Sequence, residues 1–305
     1  KERKMFNRFI RNEEGSALIL FALGLTVFLG LSAVVMDGGL LYITKAQLRN
    51  GVDAAVLAGA QDLPYQPEKA KDLAVLYAAG NKINDNELVI EIYNNNKAIK
   101  ASAERNVAFF FAKFLGHESS TVKVQAIAEV APVAGVNGAV PLGIEDFDFA
   151  FGGTYTLKVG AGEEDEGWFG ALALGGPGSR TYEENLTHGY LGTIRVGDIL
   201  EVETGNMSNP TKRAIDLRIE RCNHTPYCTA VNFSPACPRL LKVPIIEEVG
   251  HRKVKVLGFA MFLVDEVEGQ GNENYITGRF IQTVTDGEID FSGRDYGLYG
   301  VKLTQ

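Results

Sequence analysis

The residues best suited to chemistry form one short cluster in the C-terminal half of the sequence. Its pattern is Cys-x-His-x₃-Cys-x₈-Cys, made by Cys222, His224, Cys228 and Cys237. Thiolate and imidazole groups are the ligands of structural zinc, so these four side chains are a candidate Zn²⁺ site. In an oxidising compartment the three cysteines would instead form one disulfide and leave one thiol free. We favour the disulfide, with its pairing open, because the spacing contains no Cys-x₂-Cys pair; free thiols are the third alternative.

Two acidic segments are the remaining candidates for metal binding. One is the run Glu163–Glu166 and the other is the stretch Asp265–Asn274. Carboxylate and amide oxygens bind Ca²⁺, but neither segment matches the pattern of a calcium loop. We therefore expect both acidic segments to be solvated loops. For the whole chain we expect no cofactor, with structural zinc at the cysteines or calcium at these segments as the alternatives.

Motifs of the common enzyme classes are absent from the sequence. It has no G-x-S-x-G, H-E-x-x-H or G-x-x-x-x-G-K motif and no strand–G-x-G-x-x-G–helix unit. The four histidines are scattered along the chain. We therefore expect no enzymatic activity. The net charge of −8, without a basic stripe, also argues against nucleic acid as a partner.

The element that must position the rest of the chain is an uncharged apolar run from Ser16 to Met36. As a helix this run would span roughly 30 Å, the thickness of the hydrocarbon core of a bilayer. It is longer than the apolar region of a signal peptide, so we expect a retained membrane anchor. Basic residues precede it, at Lys1, Arg3, Lys4, Arg8 and Arg11. This asymmetry predicts a cytoplasmic N-terminus and an external C-terminal part.

Asp37 directly follows the apolar run, where hydrocarbon would give way to water. A carboxylate is tolerated at that boundary if it stays on the aqueous side. We expect a solvated interface charge, or a salt bridge to a Lys or Arg of a neighbouring subunit.

The helical pattern continues beyond Asp37, which predicts one long helix over residues 16–62. Gly51, Ala55 and Gly59 repeat at intervals of four residues and make a smooth face that another helix could approach closely. That helix could belong to a second subunit or to the same chain. The residues predicted to mediate helix–helix assembly are Leu18, Phe21, Leu25, Phe28, Gly51, Ala55 and Gly59.

The remaining patterns predict an α+β protein with a long N-terminal transmembrane or pilin-like helix. The predicted regions are a basic tail (1–15), the long helix (16–62), a small α+β unit (63–132) and a glycine-rich outer domain (133–305). In the α+β unit we predict a helix from Pro67, a hairpin of Leu88–Tyr93 with Ala98–Ala103, a helix over Asn106–Leu115 and a strand over Thr121–Val130. Val133–Ala139 is the predicted linker. The outer domain is predicted to be mostly β, a sandwich or a barrel, with a strand over Ala214–Ile219 and a helix at Arg180–Leu186.

The N-terminal part resembles the TadE/TadG-like proteins of Tad pili. The resemblance lies in Glu14-Gly15-Ser16 at the membrane edge, in Asp37-Gly38-Gly39 after the span, and above all in the block Asp53–Ala60 (DAAVLAGA). It covers about residues 1–132. The segments Gly167–Gly176 and Val196–Thr211 also resemble C-terminal regions of Gram-positive Tad-like proteins. At the fifth position after Gly15, where pilins cut by a prepilin peptidase have glutamate, this chain has Leu20.

This resemblance implies a structural subunit of an extracellular, pilus-like filament, assembled by bundling of the N-terminal helix. The partners it implies are further copies of the chain, the membrane through residues 16–36, and a Tad-type secretion machinery. The alternative is a membrane-anchored pilus-assembly factor or a surface binding module that uses the β domain.

Overall fold

The structure, a computed structural model, describes residues 13–159, 168–270 and 273–304. Its longest element is helix α1 (Glu13–Ala60), which has 48 residues and runs through Gly38 and Gly39 without interruption. At about 1.5 Å per residue this helix is about 70 Å long. The predicted long helix is therefore confirmed, and so is the α+β class.

Shorter elements make up the body that follows α1. The further helices are α2 (Pro67–Gly80), α3 (Ser179–His188) and α4 (Ser208–Glu220), with 3₁₀ turns at Asp85–Glu87 and Ala112–Leu115. The strands are β1 (Leu88–Tyr93), β2 (Ala98–Ala108), β3 (Ser119–Asn137), β4 (Leu142–Glu145), β5 (Thr154–Val159), β6 (Trp168–Ala171), β7 (Thr193–Arg195), β8 (Ile199–Glu201), β9 (Leu240–Gly250), β10 (Lys253–Gln270), β11 (Glu273–Ile281), β12 (Thr283–Val284), β13 (Glu288–Ile289) and β14 (Leu298–Thr304).

The first sheet carries the N-terminal helices. Its strand order is β1-β2-β3-β14-β12, and β7 and β13 also pair with β3. The second half of α1 and helix α2 pack against this sheet through a shared core that contains Leu48, Val52, Ala74 and Ile99. Strand β14 comes from the C-terminal end of the chain, so the sheet is completed by residues far from the helices in sequence.

The second sheet curls on itself like a barrel. Its strands pair in the order β11-β5-β6-β4-β9-β10, β10 pairs again with β11, and β8 lies beside β10. Helices α3 and α4 contribute Tyr182, Leu186 and Ile215 to the same core as Leu241 and Phe262 of the sheet. The mostly-β, barrel-like character predicted for this part is confirmed.

Two predicted elements between residues 106 and 139 are wrong. Asn106–Ala108 extends strand β2, where Val107 is buried and its neighbours are exposed, as the period of a strand requires. Only Ala112–Leu115 is helical there, as a single 3₁₀ turn. The predicted linker Val133–Ala139 is mostly strand, because β3 continues to Asn137 and buries Val133 and Val136 in the core between the sheets.

The predicted strand Ala214–Ile219 is wrong as well, because it lies within helix α4. Ala214, Ile215 and Arg218 are all buried, and that spacing is the repeat of one helix face. The predicted helix at Arg180–Leu186 is confirmed as part of α3.

Candidate functional site

The first half of α1 projects from the body as an exposed apolar helix. The exposed fractions are 72% for Leu18, 71% for Phe21, 45% for Leu25 and 65% for Phe28. Among the described residues α1 is the one helix long and apolar enough to cross a membrane, and none of its most apolar window is buried. Exposed apolar area of this extent is typical of a surface that meets lipid or protein. The basic tail Lys1–Arg11 lies outside the described residues.

Asp37 marks the point where this exposed section ends and the body begins. Its side chain is buried, and the carboxylate accepts hydrogen bonds from three backbone N–H groups: Phe110 at 2.9 Å, Phe111 at 3.0 Å and Ala112 at 2.7 Å. These N–H groups begin the 3₁₀ turn after β2, which offers no acceptors of its own for them. The expected solvated interface charge is therefore wrong, because the carboxylate is bound by backbone donors of its own chain; a salt bridge to a neighbouring subunit stays a prediction.

The Asp37 junction places aromatic side chains beside the exposed helix. Phe110 is 65% and Phe111 40% exposed, and Tyr42 on α1 is 76% exposed. Aromatic side chains are enriched where a membrane span meets water. The sequence does not reveal this junction, because its two sides are more than 70 residues apart. Nothing in the residues around Asp37 indicates that its hydrogen-bond partners lie in a loop between two strands.

The small-residue face of α1 is covered by the chain itself. Ala55 is fully buried. A Cβ added to Gly51 would lie 2.5 Å from Ile83 Cδ1, and one added to Gly59 would lie 2.7 Å from the carbonyl oxygen of Ala70 in α2. Two packing partners are predicted for these residues, a second subunit or the same chain, and in the structure they pack against the same chain. A second subunit would need them exposed.

The cysteine cluster lies in residues 221–239, between α4 and β9. All three cysteines are buried free thiols, and the Sγ atoms of Cys222 and Cys237 are 3.5 Å apart. A disulfide needs an S–S distance of about 2.05 Å, so the expected bond is not formed among the described cysteines. The His224 Nδ1 atom is 3.8 Å from Cys222 Sγ, and the four potential ligand atoms all lie within 4.8 Å of one another.

Two of these thiols differ in acidity. Burial raises the pKa of Cys222, but hydrogen bonds with His224, Cys237 and Arg239 outweigh burial, and the net shift is downward. Burial and the neighbouring thiols raise the pKa of Cys237. Cys222 is therefore the first of the two to become a thiolate.

Arg239 holds the cluster against the barrel. Its guanidinium is buried and donates hydrogen bonds to the carbonyl oxygens of Val264 at 2.6 Å and Cys228 at 2.9 Å, and to Asp265 at 2.9 Å. Asp265 also pairs with Arg279. The carboxylate at the start of the candidate calcium stretch Asp265–Asn274 is thus engaged by two arginines. The other candidate, Glu163–Glu166, lies outside the described residues.

The described chain combines one exposed apolar helix, long enough to cross a membrane, with a small α+β unit. Comparison with protein families finds two matches in the N-terminal part of the chain. Residues 15–62 match the TadE/G-like Flp pilus-assembly family, and residues 42–128 match the Tad-like Flp pilus-assembly family. The predicted resemblance is confirmed over residues 15–128, and it supports a pilus-associated role and a surface location. No curated protein and no solved structure matches the chain.

Proposed function

We propose that this protein is a structural subunit of an extracellular, Tad-like filament, held together by bundling of the exposed section of α1. The observation that carries the proposal is the contrast within one continuous helix. No residue from 17 to 36 is buried, whereas Leu48, Val52 and Val56 further along are fully buried in the body. Covering an apolar side chain such as leucine or phenylalanine is worth about 1.5–3 kcal/mol, so the exposed section needs a partner.

The spacing of the exposed side chains suits a helix bundle. Leu18, Phe21, Leu25 and Phe28 follow one another at intervals of three and four residues, which places them along one side of the helix. Intervals of this kind form the seam of helix bundles and coiled coils. In the proposed cycle lipid covers this section before assembly, and copies of the same helix cover it in the filament.

The Asp37 junction gives the proposed filament a defined geometry. Because the three hydrogen bonds fix the body to α1 where the apolar section ends, each copy presents its sheets at the same distance from the helical core. Before assembly, the N-terminus lies on the cytoplasmic side in this proposal and the β domain lies outside. It assigns the chain no catalytic activity and names the Tad-type secretion machinery as the system that exports or assembles it.

The test is polymerisation of the purified chain on removal of detergent, followed by electron microscopy. Leu25→Arg places a charge in the proposed seam and should abolish filaments. Leu191→Arg is the matched control, because Leu191 is 95% exposed on the body and the same change there should leave polymerisation intact. Circular dichroism of both variants checks that the body remains folded.

Two results would contradict a subunit role. One is wild-type protein that stays as dispersed monomers in vesicles, which would favour the alternative of a membrane-anchored assembly factor. The other is filament formation that Leu25→Arg does not change.

A further inference from the structure

We propose that Cys222, His224, Cys228 and Cys237 form a structural Zn²⁺ site that organises residues 221–239. Four soft ligand atoms from this short segment lie within 4.8 Å of one another. This site is independent of the proposed filament role, because it lies on the body and involves no residue of α1.

The distances suit a tetrahedral ion. With Zn–S bonds of about 2.3 Å and a Zn–N bond of about 2.0 Å, tetrahedral geometry puts two sulfur ligands about 3.8 Å apart and a sulfur and a nitrogen about 3.5 Å apart. Cys222 Sγ lies 3.5 Å from Cys237 Sγ and 3.8 Å from His224 Nδ1. The separations within the whole set stay within 4.8 Å. A disulfide would use two of these groups and leave the others in place without a function.

The segment that carries the ligands lacks the backbone hydrogen-bond ladder of a helix or a strand. Residues 221–239 contain no helix and no strand. The three cysteines form a small apolar cluster of their own, joined by Phe233 and Leu240. Long segments without secondary structure in a compact protein are uncommon, and a metal is one of the devices that stabilise them. A zinc ion would supply the folding free energy that this small cluster lacks.

The charge of the surroundings fits the proposed ion. Three thiolates, one neutral imidazole and Zn²⁺ carry a net charge of −1. Beside the site, Arg239 and Arg279 both pair with the carboxylate of Asp265. These three side chains together carry a net charge of +1, which is opposite to that of the proposed zinc site. Arg239 also donates to the carbonyl oxygen of Cys228 and so fixes a ligand-bearing residue. Outer groups that orient the ligands in this way are typical of protein metal sites.

The test begins with the full-length wild-type chain, purified in detergent under anaerobic conditions without reductant or chelator. We expect about one zinc ion per chain by elemental analysis. The three thiols should be protected from a thiol reagent until a chelator is added, and all should then react. Co²⁺ in place of zinc should give the intense visible absorption of a tetrahedral site with thiolate ligands.

Variants test the four-ligand set. Cys228→Ser and His224→Ala should each lose the bound zinc, while His251→Ala, which changes an exposed histidine outside the cluster, should keep it. Three outcomes would overturn the proposal: three reactive thiols with no zinc after loading, a disulfide in the freshly purified wild-type chain with no metal, or full zinc content in His224→Ala. The first two are read on the wild-type chain, so a variant that fails to fold does not affect them.

Discussion

Asp37 stabilises the joint between the exposed helix and the body because one carboxylate satisfies three backbone donors. Hydrogen bonds to a charged acceptor are stronger than those between neutral groups. A buried N–H that loses its partner costs about 1–3 kcal/mol, so the loop after β2 depends on this side chain for its position. A residue that sequence analysis treats as a charge facing water is thus a structural residue of the body.

We expect Asp37→Ala to release this loop. The free energy of unfolding should fall by about 1–3 kcal/mol, because the three N–H groups are left without an acceptor. Hydrogen exchange of the amides of Phe110, Phe111 and Ala112 should speed up, as measured by mass spectrometry. Asp72→Ala, at an exposed position of α2, is the control and should change neither quantity. Unchanged exchange in Asp37→Ala would contradict the role given to the carboxylate.

At the scale of the element, the two halves of helix α1 differ in what covers their apolar side chains. The first half needs a partner outside the chain, and the second half is a core helix of the body. Two glycines of α1 illustrate an open and a packed position: a Cβ on Gly39, just beyond Asp37, would meet nothing within 4 Å, whereas one on Gly59 would meet Ala70 O at 2.7 Å and Ile99 Cδ1 at 2.6 Å.

Alanine at these two glycines should therefore have effects of opposite sign. Gly39→Ala should stabilise the protein by about 0.5–1 kcal/mol, since alanine is the better helix former and has free space there. Gly59→Ala should destabilise it by about 1–3 kcal/mol, since α1 must move away from α2. Urea unfolding of the two variants in detergent measures both changes. Equal effects would show that the second half of α1 does not pack on α2 as described.

These elements could be predicted where a pattern within a short stretch of sequence is enough to define them. The apolar run of α1, the start of α2 at Pro67 and the alternation of Leu88–Tyr93 are local patterns, and each is confirmed. Asn106–Ala108 and Ala214–Ile219 are short, and an apolar stretch of that length fits either a helix or a strand until its tertiary neighbours decide.

At the scale of the whole molecule, the contacts that define the candidate sites join distant parts of the sequence. Strand β14 completes the sheet that carries α1 and α2, and Arg239 reaches the carbonyl oxygen of Val264 to hold the cysteine segment. Sequence analysis identified the four candidate zinc ligands by their types and spacing. It favoured a disulfide because the spacing is unusual, and only the fold shows that all four side chains converge.

The central claim is that copies of this chain form a filament whose core is the exposed section of α1. The most direct test is electron cryomicroscopy of filaments sheared from the cell surface, with their protein identified by mass spectrometry. We predict that this chain is the repeating subunit and that Leu18, Phe21, Leu25 and Phe28 contact other copies of the helix. Filaments built from a different protein, with this chain found only in the membrane, would contradict it.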